Sequence, residues 1–163
     1  MIDDRGYDEA LFTVGARGCV LDTPGFTGEN VSYAISALRS ANIKGKNIVI
    51  IGGGLTGCEL AYIYGVNGKK VTLIEKTDAI LSALGASASD FNLFAELLDY
   101  YKVNVIKNAE VEKFENGIAT VIENVENTSN MAKRNRSMPT FGSECAPNKH
   151  EIPADHIVVS AGV

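Results

Sequence analysis

Apolar and polar positions along the chain fall into a repeating strand and helix pattern. Asn47-Ile48-Val49-Ile50-Ile51 is a short, uninterrupted, β-branched run, the signature of a strand covered on both faces of a parallel sheet. It runs into Gly52-Gly53-Gly54, after which Leu55 to Val66 becomes helical. Cys58 and Ala61 lie on one face there, with Leu60, Ile63 and Tyr64 on the adjoining one. Asn67-Gly68 is a stop signal, and Val71-Thr72-Leu73-Ile74 is a second buried strand ending in Glu75. Strand, helix and strand at this spacing make a βαβ unit and an α/β fold. A second helix is predicted from Ser89-Asp90, with Phe91, Phe94, Leu97, Leu98 and Tyr101 forming one stripe against the sheet. Short strands follow at 103–106, 111–114 and 118–123, the last two joined at Asn116-Gly117 as a hairpin.

Upstream, Tyr7 to Val14 is strand-like and closed by Gly15, and Pro24-Gly25 with Gly28 marks a connecting loop. Val31 to Leu38 reads as a short helix with Ser32 as its cap, followed by a polar break over 42–46. Residues 126–150 are rich in Asn, Ser, Thr, Lys and Arg, and are expected as an extended loop or loosely paired ribbon. Lys133-Arg134-Asn135-Arg136 within it reads as a solvated charge run. Ile157 to Val163 is another buried strand, stopping just after Gly162 as a module that continues into further chain would.

At 163 residues the chain is expected to form a single domain. A net charge of −5 argues against nucleic acid as a partner, since phosphate binding rests on clustered Lys and Arg. No apolar run reaches the roughly 18–20 residues of a membrane span, and Met1-Ile2-Asp3-Asp4-Arg5 has no signal-peptide character. Cys19, Cys58 and Cys145 are scattered, as expected of reduced thiols in a cytoplasmic setting. Only His150 and His156 are available as imidazole ligands, so no metal site is expected. The glycosylation triplets at Asn30, Asn127 and Asn135 read as coincidence.

Candidate chemistry is concentrated in Gly52-Gly53-Gly54-Leu55-Thr56-Gly57, a G-x-G-x-x-G pattern between a strand and a helix. Gly52 allows the tight turn, Gly54 lets backbone approach a pyrophosphate, and Gly57 lets the helix lie close to the sheet. The helix N-terminus offers free N–H groups and partial positive charge to phosphate. Glu75 follows Gly52 by 23 positions, near the spacing of about 20 expected for an acid that accepts both ribose hydroxyls. A carboxylate there repels a 2′-phosphate, whose charge is about −1.5 to −2. Glu75 therefore favours NADH, while Lys76, the only nearby cation, leaves room for NADPH. FAD uses the same fold and the same acid, so the fingerprint alone leaves the dinucleotide open.

Three blocks resemble the NAD(P)-binding domain of the pyridine nucleotide-disulfide oxidoreductase superfamily. Tyr7 to Ala16, with Pro24-Gly25 beyond, is similar to the segment that leaves the family's FAD domain. Lys46 to Glu75 resembles its nicotinamide-dinucleotide fingerprint, and Asp155 to Gly162 the strand that returns to the FAD domain. In that family the FAD fingerprint precedes the first block and the NAD fingerprint follows it, so the resemblance assigns Gly52–Gly57 to NAD. It implies a three-layer, Rossmann-like FAD/NAD(P)-binding domain: a central parallel sheet, helices on one face and a small antiparallel β-meander on the other. It also implies that residues 1–30 and 155–163 connect to an FAD-binding domain elsewhere in the polypeptide, and that Gly162 borders the cofactor. Gly57-Cys58-Glu59 and Lys69 to Glu75 look most like the C-terminal half of NADH:flavin oxidoreductases of the 2-enoate and 2,4-dienoyl-CoA reductase type. Those enzymes add FMN and an iron–sulfur cluster, and pass electrons from NADH through FAD to an unsaturated acid or thioester. Val14 and Thr56 depart from the family's usual residues, and the C-x-x-C of thioredoxin-reductase-like members is absent.

Two further residues stand out. Cys58 reads as a small side chain buried beside Gly57, the alternative being a helix-end thiol with lowered pKa. Glu59 is expected in the first helix turn, where the resemblance puts a catalytic carboxylate near nicotinamide and flavin. Its other reading is a helix-stabilising acid. The leading functional reading is an NADH-binding module that is inactive alone. Against it stand a non-catalytic dinucleotide sensor and an interaction domain with a vestigial fingerprint.

Overall fold

A computed structural model of the chain describes residues 9–13, 15, 18–40, 43–82, 88–123 and 148–162. Its elements are β1 (Val31–Tyr33), α1 (Ala34–Arg39), β2 (Asn47–Ile51), α2 (Leu55–Val66), β3 (Lys70–Ile74), α3 (Ala88–Tyr100), β4 (Asn104–Ile106), β5 (Ala109–Glu115), β6 (Ile118–Glu123), β7 (Asn148–Pro153) and β8 (His156–Val159). Five strands form one parallel sheet in the order β1-β8-β2-β3-β4, and β5-β6-β7 form a separate antiparallel sheet.

Alternation along the central strands explains the layering. Ile48 and Ile50 of β2, Val71 and Leu73 of β3 and Val158 of β8 join Ala37 of α1, Leu60, Ala61 and Tyr64 of α2 and Leu98 of α3 in one core. The intervening residues Val49, Ile51, Ile74, Ile157 and Val159 face Val111, Phe114, Ala119 and Val121 of the three-stranded sheet. Successive strand side chains point to opposite faces, so runs without a polar residue need a cover on both sides. The result is the three-layer, Rossmann-like α/β arrangement expected from the sequence.

At the lower end of the sheet, Asp155 accepts from the backbone N–H groups of Lys46 (2.7 Å) and Asn47 (2.8 Å). The Asn47 and Lys46 hydrogen bonds hold its carboxyl below the usual carboxylate range. This staple ties the entry of β2 to the entry of β8, so the segment expected to lead out of the module also supplies a central strand.

Several expectations change. Val31–Tyr33 is an edge strand paired with β8 rather than the first turn of a helix, and helix begins only at Ala34. Ser32 caps nothing: its hydroxyl meets His156 Nε2 at 2.7 Å, giving a buried imidazole its partner. The stripe on α3 is thinner than its spacing predicts, because Leu98 is buried while Phe91 stays 42% exposed. Phe94 and Tyr101 are half-buried, and Tyr101 meets Tyr62 of α2 edge-on at 5.6 Å. The Asn116-Gly117 turn has positive φ at both residues, 51° and 76°, as a two-residue hairpin requires. Only the last three residues of the stretch expected as a loop or ribbon, 148–150, are described, and they open β7 (Asn148–Pro153) on β6, while 124–147 lie outside the described residues. The strand expected at Tyr7–Val14 also lies partly outside them, and residues 9–13 carry no regular structure.

Candidate functional site

The carboxyl ends of β1, β2, β3 and β8 open into one cavity of about 870 Å³. Ligand crevices of open parallel sheets lie outside the carboxyl ends of the strands, and here the cavity lies beyond β2, where the chain turns into α2, and its neighbour β8. At the β8 side the wall is Ser160, Ala161 and Gly162, with Cys19 and Val20 beside them. At the β3 side it is Glu75, Lys76, Ala109 and Glu110. The start of α2, through Gly52, Gly54, Leu55 and Thr56, lies between the two.

Two glycines of the loop, Gly52 and Gly57, have separate steric reasons. Gly52 sits at φ +104°, with its Cβ position 2.5 Å from the Ser160 carbonyl oxygen. A Cβ on Gly57 would overlap the Gly52 carbonyl oxygen, so the helix lies against the turn closely enough to exclude a methyl group. Gly54 differs, since a Cβ there meets nothing within 4 Å. It borders the cavity and is the N-cap of α2, without a side-chain cap and with no acid in the first turn. The first N–H groups of the helix, which have no partner among the described residues, and its positive end thus border the cavity, the arrangement that receives an anion.

Glu75 is held by three donors. Its Oε2 accepts from Gly53 N–H at 2.6 Å, and its Oε1 from Thr77 N–H at 2.8 Å. The Thr77 hydroxyl lies 2.8 Å from both Glu75 Oε1 and the Ala79 carbonyl, so its single proton serves one of them at a time. The carboxylate is thereby fixed beside the glycine loop, with acceptor capacity left on Oε2. Gly53 is also pinned through its own carbonyl, which accepts from Leu81 N–H at 2.7 Å, Leu81 adopting φ 55° to reach it.

Among the candidates named from sequence, Gly52, Gly54, Leu55, Thr56, Glu75, Lys76 and Gly162 line the cavity. Gly53 and Gly57 support it from behind. Glu59 is the exception. It is the fifth residue of α2, beyond the first turn, and does not line the cavity. Its stabilising effect on the helix end is weaker for that reason. Cys58 is fully buried with Sγ 3.5 Å from the Gly53 carbonyl. Burial first, then the charges of Glu75 and Glu59, push its thiol up to about 12, which overturns the lowered-pKa alternative and leaves the packing one. Sequence reasoning missed Thr77 and Glu110. A threonine two places after a strand-terminal acid is a usable local signal, whereas Glu110 arrives through the fold and has none.

Among the described residues no helix is long and apolar enough to cross a membrane, and no three metal-ligating side chains come together.

Comparison with known proteins agrees with this geometry. The chain is 31% identical over 109 residues to the dihydrolipoyl dehydrogenase of Mycoplasma pneumoniae, covering 65% of this chain and 23% of that protein. It is 30% identical over 113 residues to the cinnamate reductase of Clostridium sporogenes, covering 69% and 17% respectively. The chain thus spans a quarter or less of the length of these curated relatives. In fold it resembles a 2-naphthoyl-CoA reductase solved with 2-naphthoyl-CoA, with a TM-score of 0.71 and 17% identity over 91% of this chain and 19% of that one. With residues 3–163 matching the family as a whole, the chain belongs to the pyridine nucleotide-disulphide oxidoreductases.

Proposed function

We propose that this chain is the nicotinamide-dinucleotide-binding module of a larger flavin-dependent oxidoreductase, and that NADH is its preferred cofactor. One observation carries the reading: the uncapped N-terminus of α2, with open space over Gly54, shares a cavity with a carboxylate already fixed beside the glycine loop. The residues present fit a dinucleotide. Backbone N–H groups from Gly54 to Gly57 would hold the pyrophosphate, and Glu75 would accept ribose hydroxyls through its remaining lone pairs. Lys76 flanks the same ribose, and Gly162 borders the nicotinamide half. When bound, NADH supplies a hydride, while the protein supplies position and exclusion of water. FAD, FMN and an iron–sulfur cluster would belong to the rest of the polypeptide, reached through residues 1–30 and 155–163.

An unsaturated acid or thioester as final acceptor draws support from the cinnamate reductase relative, whose named substrate is such an acid. A reducing, cytoplasmic setting draws support from the free thiols of Cys19 and Cys58. Glu59 lies one turn beyond Leu55 on the same helix. Glu59→Gln in the longer enzyme is expected to spare NADH affinity and slow flavin reduction.

Calorimetric titration with NADH, NADPH and FAD tests the reading, with Glu75→Gln and Glu75→Ala alongside. Saturable NADH binding is expected, tighter than NADPH, and roughly tenfold weaker once the charged acceptor is removed. No NADH binding, or FAD binding more tightly than NADH, overturns it. A longer protein carrying the neighbouring segments should be yellow and bleach with NADH.

A further inference from the structure

We infer that Glu110, outside the glycine-rich fingerprint, is a second determinant of the choice between NADH and NADPH. The inference rests on the binding reading above. Two backbone hydrogen bonds hold the residue after β3 against the end of β4 and the start of β5: Glu75 N–H donates to the Ile106 carbonyl at 2.8 Å, and Ala109 N–H to the Glu75 carbonyl at 3.0 Å. Glu110 is therefore fixed next to Glu75 and Lys76 by the fold, and all three line the cavity. Lys76 Nζ stands 3.2 Å from Glu110 Oε2.

Lys76 is the one basic side chain lining this cavity among the described residues. Taken alone it could meet a 2′-phosphate. Paired with Glu110, it leaves the ribose end with two carboxylates against one ammonium. A 2′-phosphate carrying about −1.5 to −2 charge then faces net repulsion from a site whose only cation is engaged. An uncharged 2′-hydroxyl meets no such penalty. Glu110 thus cancels the room for NADPH that Lys76 offers.

The test is a titration of Glu110→Gln with NADH and NADPH, read as the ratio of the two dissociation constants. Removing one repulsive charge and releasing one cation near the surface should reduce the NADH preference roughly five- to tenfold. 2′,5′-ADP should gain over 5′-AMP to the same extent, which assigns the effect to the adenosine half. Adding Lys76→Met to Glu110→Gln should take most of that gain away. A ratio in Glu110→Gln equal to that of the unaltered protein overturns the inference. So does a gain that survives loss of Lys76. Both outcomes leave the proposed function standing, whereas failure of the unaltered protein to bind NADH removes both.

Discussion

Alanine at Gly57 and alanine at Gly54 should fail in opposite ways. Both are loss-of-glycine changes three residues apart, but their surroundings differ. At Gly57 the added methyl would overlap the Gly52 carbonyl oxygen. Neither partner is a flexible side-chain tip, so the turn or the helix must move. Overpacking of this kind costs about 1–3 kcal/mol, and a backbone partner puts the change at the upper end. Alanine regains about 1 kcal/mol of helix propensity over glycine. The net loss is then about 2 kcal/mol, or roughly 4–8 °C in Tm for a chain of this size. At Gly54 the methyl meets nothing within 4 Å, and φ is −69°, which any residue adopts. Losing glycine at an N-cap costs some tenths of a kcal/mol, and the stiffer unfolded chain returns about as much, so Tm should stay within about 2 °C. The Gly54 methyl instead occupies space where phosphate would approach, and NADH affinity should fall by about tenfold or more. Thermal unfolding by circular dichroism and NADH calorimetry on the two variants check this directly. The steric reasoning is refuted if Gly57→Ala melts with the unaltered protein. It is equally refuted if Gly54→Ala loses stability while keeping its affinity.

The remaining predictions concern thiols and pH. Maleimide labelling of the native protein, mapped by mass spectrometry, should modify exposed Cys19 and spare Cys58 until the chain is unfolded, because burial holds the latter as a thiol with a pKa of about 12. Rapid native labelling of Cys58 would contradict this. Burial, then the nearby Lys69 charge, lower the pKa of His156 below its ordinary 6.5. The unfolded chain therefore takes up a proton that the folded one resists. The associated stability is present above about pH 6.5 and is lost as pH falls through that value toward the lowered folded pKa. Tm should decline between pH 7.5 and 5.5, and His156→Asn should flatten the decline. An unchanged slope would remove His156 as its cause. Asp155 adds a separate loss only below its ordinary 3.8, where its hydrogen-bonded carboxylate must protonate.

Legibility followed burial. The strands Asn47–Ile51 and Lys70–Ile74 and the helix between them were readable because both strand faces are covered, which forces mostly apolar runs broken in the second only by Lys70 and the half-buried Thr72, and because glycines punctuate the turn. The edge strands were not. β1 has three half-buried residues and one neighbour, so Val31-Ser32-Tyr33 fits a helix as well as a strand until β8 claims it. β7 is almost wholly exposed, and its polar residues are strand only because β6 offers a ladder. Within the site, the fingerprint and Glu75 were legible as local spacing. Glu110 was not, because its place beside Lys76 depends on backbone bonds that hold the residue after β3 against β4 and β5.

The position of β8 has a consequence for how the chain acquires its structure. Among the described residues β1 pairs only with β8, and β2 reaches β1 only through β8. The Lys46–Asp155 staple at the foot of this arrangement closes over 109 positions. The β2-α2-β3 unit can assemble from nearby sequence, but the sheet stays in two pieces until His156–Val159 slots between them. Such distant parallel pairing must meet its loop-closure entropy before any contact repays it, which places folding at the slow, millisecond-to-second end of the range for small domains. The walls of the cavity at Gly52 and Ser160 come together in that last step, so nucleotide-binding competence should appear with the final folding phase rather than with early helix formation.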